Sequence, residues 1–365
     1  MIALNQLGTF KNGLNFNAES VSVIGYDIIG IPDFGDNYIA PKDKLKKVDA
    51  NIVSDDYLLM DNDILFVRSN GNKALVGRTM IVSNIENPTT FSGFCIRFRP
   101  NTDKVDPLYM LYLFKSPIFR RYFSNNQQTS ITNLNQDVLG SILIDLPTLY
   151  TQKTIVKVIH SLTRRIENNN QVNDNLEQVI KSCFDFMFAT KNPNGIINDI
   201  LCEHPKSTIQ VNDSVGVSGD YPFFTSGETV NEWQTALVDG MNCYLSTGGN
   251  ATIKGYYGKA AYSTDTWCVF GKGEYSFYLY SYLKSIIRSI NDSFFAGSGL
   301  KHLQKDSLVL VKLYIPTEDE LKKFNLVVKP AMETMAKLFI ETKKLKQQRD
   351  FLLPLLMNGQ ATIAE

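Results

Sequence analysis

The sequence predicts a mixed α+β protein, α/β in class, built twice over. Two similar globular domains are joined by two long helices that form an antiparallel coiled coil, an internal pseudo-twofold repeat. Three observations predict it. A stretch from the middle of the 365-residue chain returns near its end, a heptad pattern follows each occurrence, and short strand-like runs with turns precede each.

The repeat comes first. NLNQDVLGSILIDLPT (133–148) aligns without a gap on HLQKDSLVLVKLYIPT (302–317), at an offset of 169 residues. Leu134 falls on Leu303, Asp137 on Asp306 and Pro147 on Pro316. The same offset sets Leu113-Phe114-Lys115-Ser116 on Tyr282-Leu283-Lys284-Ser285. Farther upstream, Asn72 and Gly77 match Asn250 and Gly255 at an offset of 178, so copy one carries nine extra residues between Gly77 and Lys115.

The helices follow. Spacings of four and three run through Ile155, Ile159, Leu162, Ile166, Asn169, Asn173, Leu176, Ile180, Cys183 and Met187. The matching positions are Phe324, Val328, Ala331, Met335, Leu338, Thr342, Leu345, Arg349 and Leu352. This is a heptad seam, and the chain supplies both partners. The seam is assigned to Ile159, Leu162, Ile166, Asn169, Asn173 and Leu176 on one helix, and to Met335, Leu338, Thr342 and Leu345 on the other. Polar residues recur in it, and a buried Asn fixes register at a cost in stability. A helix of about 36 residues spans roughly 54 Å, a rigid spacer. Pro330 removes a backbone donor and is expected to interrupt the second helix near one end.

The expected divisions are 1–148 for the first domain, 149–189 for the central helix, 190–315 for the second domain and 316–365 for the last helix. In the first domain, 58–82 reads strand–turn–strand around Ser69-Asn70-Gly71-Asn72, and 241–263 repeats it around Thr247-Gly248-Gly249-Asn250. Aromatic-rich helical stretches follow at 107–123 and 275–290; the helical spacing of Tyr109, Tyr112, Phe114, Phe119, Tyr122 and Phe123 reads as core and not as a base-stacking platform.

Composition and motifs exclude several classes. The hydrophobic share is 44% and the charged share 20%, so disorder is not the main state. Cys95, Cys183, Cys202, Cys243 and Cys268 form no Cys-x-x-Cys pair, which supports neither a disulfide framework nor structural zinc. No secretory signal and no long apolar run is visible, so a cytoplasmic protein without a membrane span is expected. The 37 Lys and Arg balance the 37 Asp and Glu, which argues against a broadly basic coat but leaves room for a local basic cleft. No phosphate loop, dinucleotide fingerprint, nucleophile elbow or His-Glu-x-x-His motif occurs. The three histidines, His160, His204 and His302, read as surface or capping residues. Asn192-Pro193-Asn194 is a turn signal. No metal, catalytic residue or cofactor is expected in this chain.

The long repeated segments carry a resemblance. LPTLYTQKTIVKVIHSLTRRIENNNQVNDNLEQVIKSCFDFMF (146–188), IPTEDELKKFNLVVKPAMETMAKLFIETKKLKQQRDFLLPLLMNGQ (315–360), YPFFTSG (221–227) and STGGN (246–250) resemble a specificity subunit of a type I restriction–modification system, over essentially the whole chain. Members carry Glu-Gln after the Leu-Pro; Thr151-Gln152 and Glu320-Leu321 each keep one of the two. The resemblance implies a non-catalytic reader of double-stranded DNA. Each globular domain would be a target-recognition domain reading one half of a split, asymmetric site. The helices would set the gap and dock modification subunits, two of them, which bind S-adenosylmethionine and methylate adenine; restriction subunits are possible further partners.

Within that reading, Gly-rich turns let backbone amides approach phosphate, and Asn, Gln and Arg make bidentate base contacts. The candidates in copy one are Arg68, Asn70, Asn72, Lys73 and Arg78, with Gln127, Gln128, Thr129, Thr132 and Asn133 ahead of the Leu-Pro segment. In copy two they are Thr247, Asn250, Lys254 and Lys259, with Ser298 and Lys301. Two other classes stand beside it: a coiled-coil scaffold for other proteins, and a nuclease with an acidic site at Asp55, Asp56, Asp61 and Asp63.

Overall fold

The computed structural model describes residues 1–35, 38–72, 75–124, 134–297, 299 and 301–363. They form two compact units, one of residues 1–165 and 345–365, the other of residues 166–344.

The first unit holds strands β1 (Gly8–Asn12), β2 (Val21–Ser22), β3 (Tyr26–Ile29), β4 (Lys46–Val48), β5 (Ile64–Val67), β6 (Thr79–Ile81), β7 (Thr89–Phe91) and β8 (Cys95–Pro100). They build an antiparallel sheet in the order β1-β8-β5-β6 and a second sheet in the order β2-β4-β3-β7, whose β3–β7 pair is parallel. Helices α1 (Pro107–Lys115), α2 (Pro117–Ser124) and α3 (Gln136–Ser141) follow. Asp106 starts α1 by accepting from the amides of Leu108 (2.9 Å) and Tyr109 (3.0 Å), with Pro107 preset for the first turn. Tyr109, Tyr112, Phe114 and Phe119 are buried against Phe66 and Phe98, so these aromatics are core. Tyr122 is exposed and donates to Leu143 O; the Phe123 side chain lies outside what is described.

The same core takes in Ile155 and Ile159 of α4 (Leu149–Phe188). It also takes in Leu353, Leu356 and Met357 from the C-terminal 40-residue helix, Glu318–Met357, which is α7 below. Gln152, fully buried, locks the start of α4. Its Oε1 accepts from Asp106 N (2.9 Å) and its Nε2 donates to Pro147 O (2.9 Å).

The second unit repeats the plan. Its strands are β9 (Leu201–Glu203), β10 (Tyr221–Phe224), β11 (Val230–Trp233), β12 (Met241–Ser246), β13 (Ile253–Tyr257), β14 (Ala261–Tyr262) and β15 (Thr266–Gly271). One sheet runs β9-β15-β12-β13, and the smaller one runs β11-β10-β14 with β10–β14 parallel. Helices α5 (Ser276–Ser285) and α6 (Ile287–Ser293) follow, and α5 buries Phe277, Tyr278, Leu279 and Tyr280 as α1 buries its aromatics. A glycine marks the repeat. A Cβ on Gly25 would sit 2.0 Å from Val48 O, and one on Gly219 would sit 2.2 Å from Trp233 O, each against the strand paired with the one that follows it.

The structure corrects one alignment. Gly77 (φ 77°) lies in the turn between β5 and β6 and donates to Val67 O (2.9 Å). Gly255 lies inside β13 opposite Cys243, where the Tyr280 ring leaves no space for a Cβ. Twelve residues separate the paired Phe66 and Thr79, against seven between the paired Leu245 and Ile253, so extra length sits in the turn itself.

In the second unit α4 and α7 run antiparallel: Phe184 and Phe188 pack on Phe324, and Asn169 Nδ2 donates to Thr342 Oγ1 (3.2 Å). Asn169 and Thr342 are both buried, so this polar pair sits in the interior. Of the other seam residues, Ile159, Ile166 and Leu345 are buried, while Leu162, Asn173, Leu176, Met335 and Leu338 are half-buried. Thr163 is buried beside Leu162, donating to Ile159 O (2.9 Å).

Pro330 does not interrupt the helix: α7 is continuous through it. The carbonyl that loses its donor belongs to Leu326, on a face open to water, where solvent replaces the missing bond.

Glu320 begins α7. It accepts from Thr317 N (3.0 Å), Tyr314 Oη (2.7 Å) and Lys191 Nζ (3.0 Å), while Glu320 N donates to Thr317 Oγ1 (3.4 Å), a capping box. The Thr317 amide first, then Tyr314 and Lys191, pull its carboxyl down to about 2. A depressed carboxyl stabilises fully above its unfolded value, and the contribution is lost as pH falls toward 2. Glu320→Gln is expected to cost about 1 kcal/mol at neutral pH, the scale of a cap. The exposed ion pair adds little. Thermal unfolding at pH 7 and at pH 2.5 checks this; the deficit should shrink at the lower pH.

Candidate nucleic-acid interface

In the first unit the candidate turn leaves the end of β5. Arg68 N donates to Phe94 O (2.8 Å), Arg68 Nη1 to Gly93 O (3.3 Å), and Arg68 O accepts from Leu134 N (2.7 Å). Its Nε is buried without a protein partner, so this guanidinium is half committed to the fold. Asn70 Oδ1 accepts from Asn72 N (2.8 Å), which shapes the tip, and Asn72 is exposed. Arg78 re-enters the sheet at half-burial. Its charge stands near Arg120 of α2, whose guanidinium is pushed below its ordinary range first by burial and then by Arg78. Lys73, Gln127, Gln128, Thr129, Thr132 and Asn133 lie outside the described residues. Leu134, the first described residue after them, donates to Arg68 O.

The second unit shows more of that junction. Thr247 N and Oγ1 donate to Asp265 O (3.2 and 2.8 Å), and Thr247 O accepts from Leu303 N (3.0 Å). Gly249 N donates to Lys301 O (3.0 Å), and Gly248 pairs with His302. Thr247, exposed Asn250 and exposed Lys301 thus share one place. Ser298 lies outside the described residues.

Two candidates do not join them. Lys254 Nζ donates to Thr225 O (3.1 Å) and Gly227 O, and burial pushes its ammonium below the usual range against the pull of Glu228. It staples the 225–229 turn. Lys259 is exposed, but beyond Tyr257, which pairs with Met241 at the far end of β12. At about 3.3 Å per residue that is on the order of 20 Å from Thr247.

Other chemistry is occupied. Asp63 is buried and takes Arg99 Nε (2.8 Å), Arg99 Nη2 (2.7 Å) and Met60 N (2.8 Å). Asp56 pairs with Lys11 (3.2 Å), and Asp61 Oδ1 accepts from Ile85 N (3.1 Å). These carboxylates face separate partners, and among the described residues no group of three or more His, Cys, Asp or Glu is placed to hold a metal ion. Burial pushes the Cys95 thiol up to about 12, which makes it a packing residue. Tyr112 Oη lies 3.0 Å from His160 Nδ1, and burial, then Arg164, lowers that imidazole's pKa. Among the described residues no helix is long and apolar enough to cross a membrane.

Sequence reasoning missed the turns that carry Phe94 and Asp265, which hold no Gly-Asn signal. The adjoining Leu134 and Leu303, aligned in the repeat, were the available pointer.

Comparisons with known proteins agree with this geometry. Residues 1–178 match the family model described as the type I restriction modification DNA specificity domain. A type I restriction enzyme specificity subunit of Methanocaldococcus jannaschii is 28% identical over 189 residues, covering 50% of this chain and 43% of that relative. The StySPI specificity subunit of Salmonella potsdam is 24% identical over 135 residues, covering 37% and 29%. The chain thus spans less than half the length of the curated relatives it matches. A solved S subunit of a type I restriction–modification system from M. genitalium shares the fold at a TM-score of 0.63 and 14% identity, over 98% of this chain and 95% of that one. The repeated sheets, the two long helices and these matches point one way: the chain is similar to type I restriction–modification DNA specificity proteins and shares the fold of one of them.

Proposed function

We propose that the chain is the non-catalytic DNA-reading subunit of a type I restriction–modification complex, acting in the cytoplasm. Residues 1–148 and 190–315 each read one half of a split, asymmetric duplex site. The observation that carries this reading is the repeat of one domain plan with differing turns: the same order in the larger sheet, the same junction of turn and Leu-led segment, and different side chains at its tip. Two readers of one design with unlike tips suit two unlike half-sites, with phosphate contacts for affinity and base edges for specificity. The long helices α4 and α7 set the gap and offer exposed Tyr150, Phe186, Leu326 and Phe351 to two modification subunits, which carry S-adenosylmethionine. Restriction subunits join where a complete system is present.

Selection of duplexes from a random pool, by the chain bound to its modification subunit, tests this. Two short constant blocks at one fixed separation are the expected outcome. Retention should fall steeply with salt as phosphate contacts are screened. A pool that stays random at low salt would return the chain to the scaffold class.

A further inference from the structure

One pair of turns repeats in backbone and differs in chemistry. Residues 91–95 join β7 to β8, and residues 262–266 join β14 to β15. Ser92 N donates to Ile29 O (2.9 Å) as Ser263 N does to Phe224 O (2.9 Å). Gly93 N donates to Leu14 O (2.7 Å) as Thr264 N does to Ile209 O (2.8 Å). Cys95 N donates to Ser92 O (2.8 Å) as Thr266 N does to Ser263 O (3.0 Å). The remaining position accepts from the candidate turn in both copies: Phe94 O from Arg68 N, and Asp265 O from Thr247 N. Phe94 and Asp265 are therefore one position of the repeat.

The backbone there is fixed by the same four bonds, while the neighbouring β5–β6 and β12–β13 turns differ in length by five residues. The side chains are opposite in kind. Phe94 is 61% exposed, and Asp265 is exposed as well. Neither serves the core of its unit. A rigid mount with an exchangeable tip beside Arg68 in one copy and Thr247 in the other fits a position whose side chain is chosen by what it meets. A carboxylate facing phosphate would be repelled, so on a DNA-facing turn Asp265 is at home against a base amine. A phenyl ring has no hydrogen bond to give and suits the methyl group of thymine.

We propose that Phe94 and Asp265 are equivalent specificity-determining residues, one in each reader. Phe94 makes apolar contact with a thymine methyl in one half-site, and Asp265 accepts a hydrogen bond from a cytosine amine in the other. This rests on the chain reading split DNA. The test uses the full chain assembled with its modification subunit and the duplex that the wild-type complex methylates, with base substitutions made in each half in turn. Phe94→Ala should lose about tenfold discrimination in one half only, and Asp265→Ala about tenfold in the other half only. Both should unfold thermally as wild type does, since both side chains are exposed. Wild-type discrimination in either variant, or equal loss in both halves, would overturn the assignment. Failure of the wild-type complex to methylate any split site would instead sink the reading on which it rests.

Discussion

Phe324→Ala is expected to destabilise the second unit by about 3–5 kcal/mol, the range for deleting a large buried aromatic. Phe324 is fully buried, and its ring stands 5.4 Å from Phe188 and 6.3 Å from both Phe184 and Tyr278. It joins α7 to α4 and to α5 at once, so no single neighbour can collapse into the cavity. Both tryptophans, Trp233 and Trp267, lie in this unit, so their fluorescence during urea unfolding follows it without contribution from the first. A chain of two units need not unfold in one step, and this local probe keeps the comparison clean. A midpoint shift equivalent to less than 1 kcal/mol would show that the helix junction is not the keystone described.

Replacing residues 190–315 with the corresponding domain of another specificity chain should change one half of the recognised site completely. The other half should stay as it was. The segment begins after α4 ends at Phe188 and stops before α7 begins at Glu318, so both long helices stay intact. The graft must keep its contacts with the retained helices: Asn325 Nδ2 donating to Glu274 O (3.0 Å), Lys343 paired with Glu232 (3.1 Å), and the Phe184 ring against Tyr278. The hybrid's methylated sites give the readout. Alteration of both halves together would mean that the two readers are not independent.

Much of the fold was legible because burial repeats with the period of the element. The 3–4 spacing predicted the long helices, and the buried Asn169 and Thr342 lie on the predicted seam. The aromatic helices announced a core through spacing alone. Pro330 misled, since helix breaking assumes that the orphaned carbonyl has no other partner, and here it faces solvent. The turns were less legible. Matching Gly77 with Gly255 treated two glycines as one signal, although the first provides a positive φ and the second provides room for Tyr280. Lys254 and Lys259 carry the charge a phosphate contact needs, but one donates to backbone carbonyls and the other follows β13 at the end remote from Thr247. Charge is written in the sequence, whereas the end of a sheet to which it is delivered depends on register. Phe94 and Asp265 share no residue type at all, so only the repeated backbone bonds reveal them as one position.

Adenine-methylation mapping by single-molecule sequencing, in cells expressing the chain with its neighbouring modification subunit, tests the central claim most directly. The account predicts one methylated motif with two unlike halves and a fixed gap between them. A folded, assembled complex that leaves the genome unmethylated, or that marks a single uninterrupted motif, would contradict it.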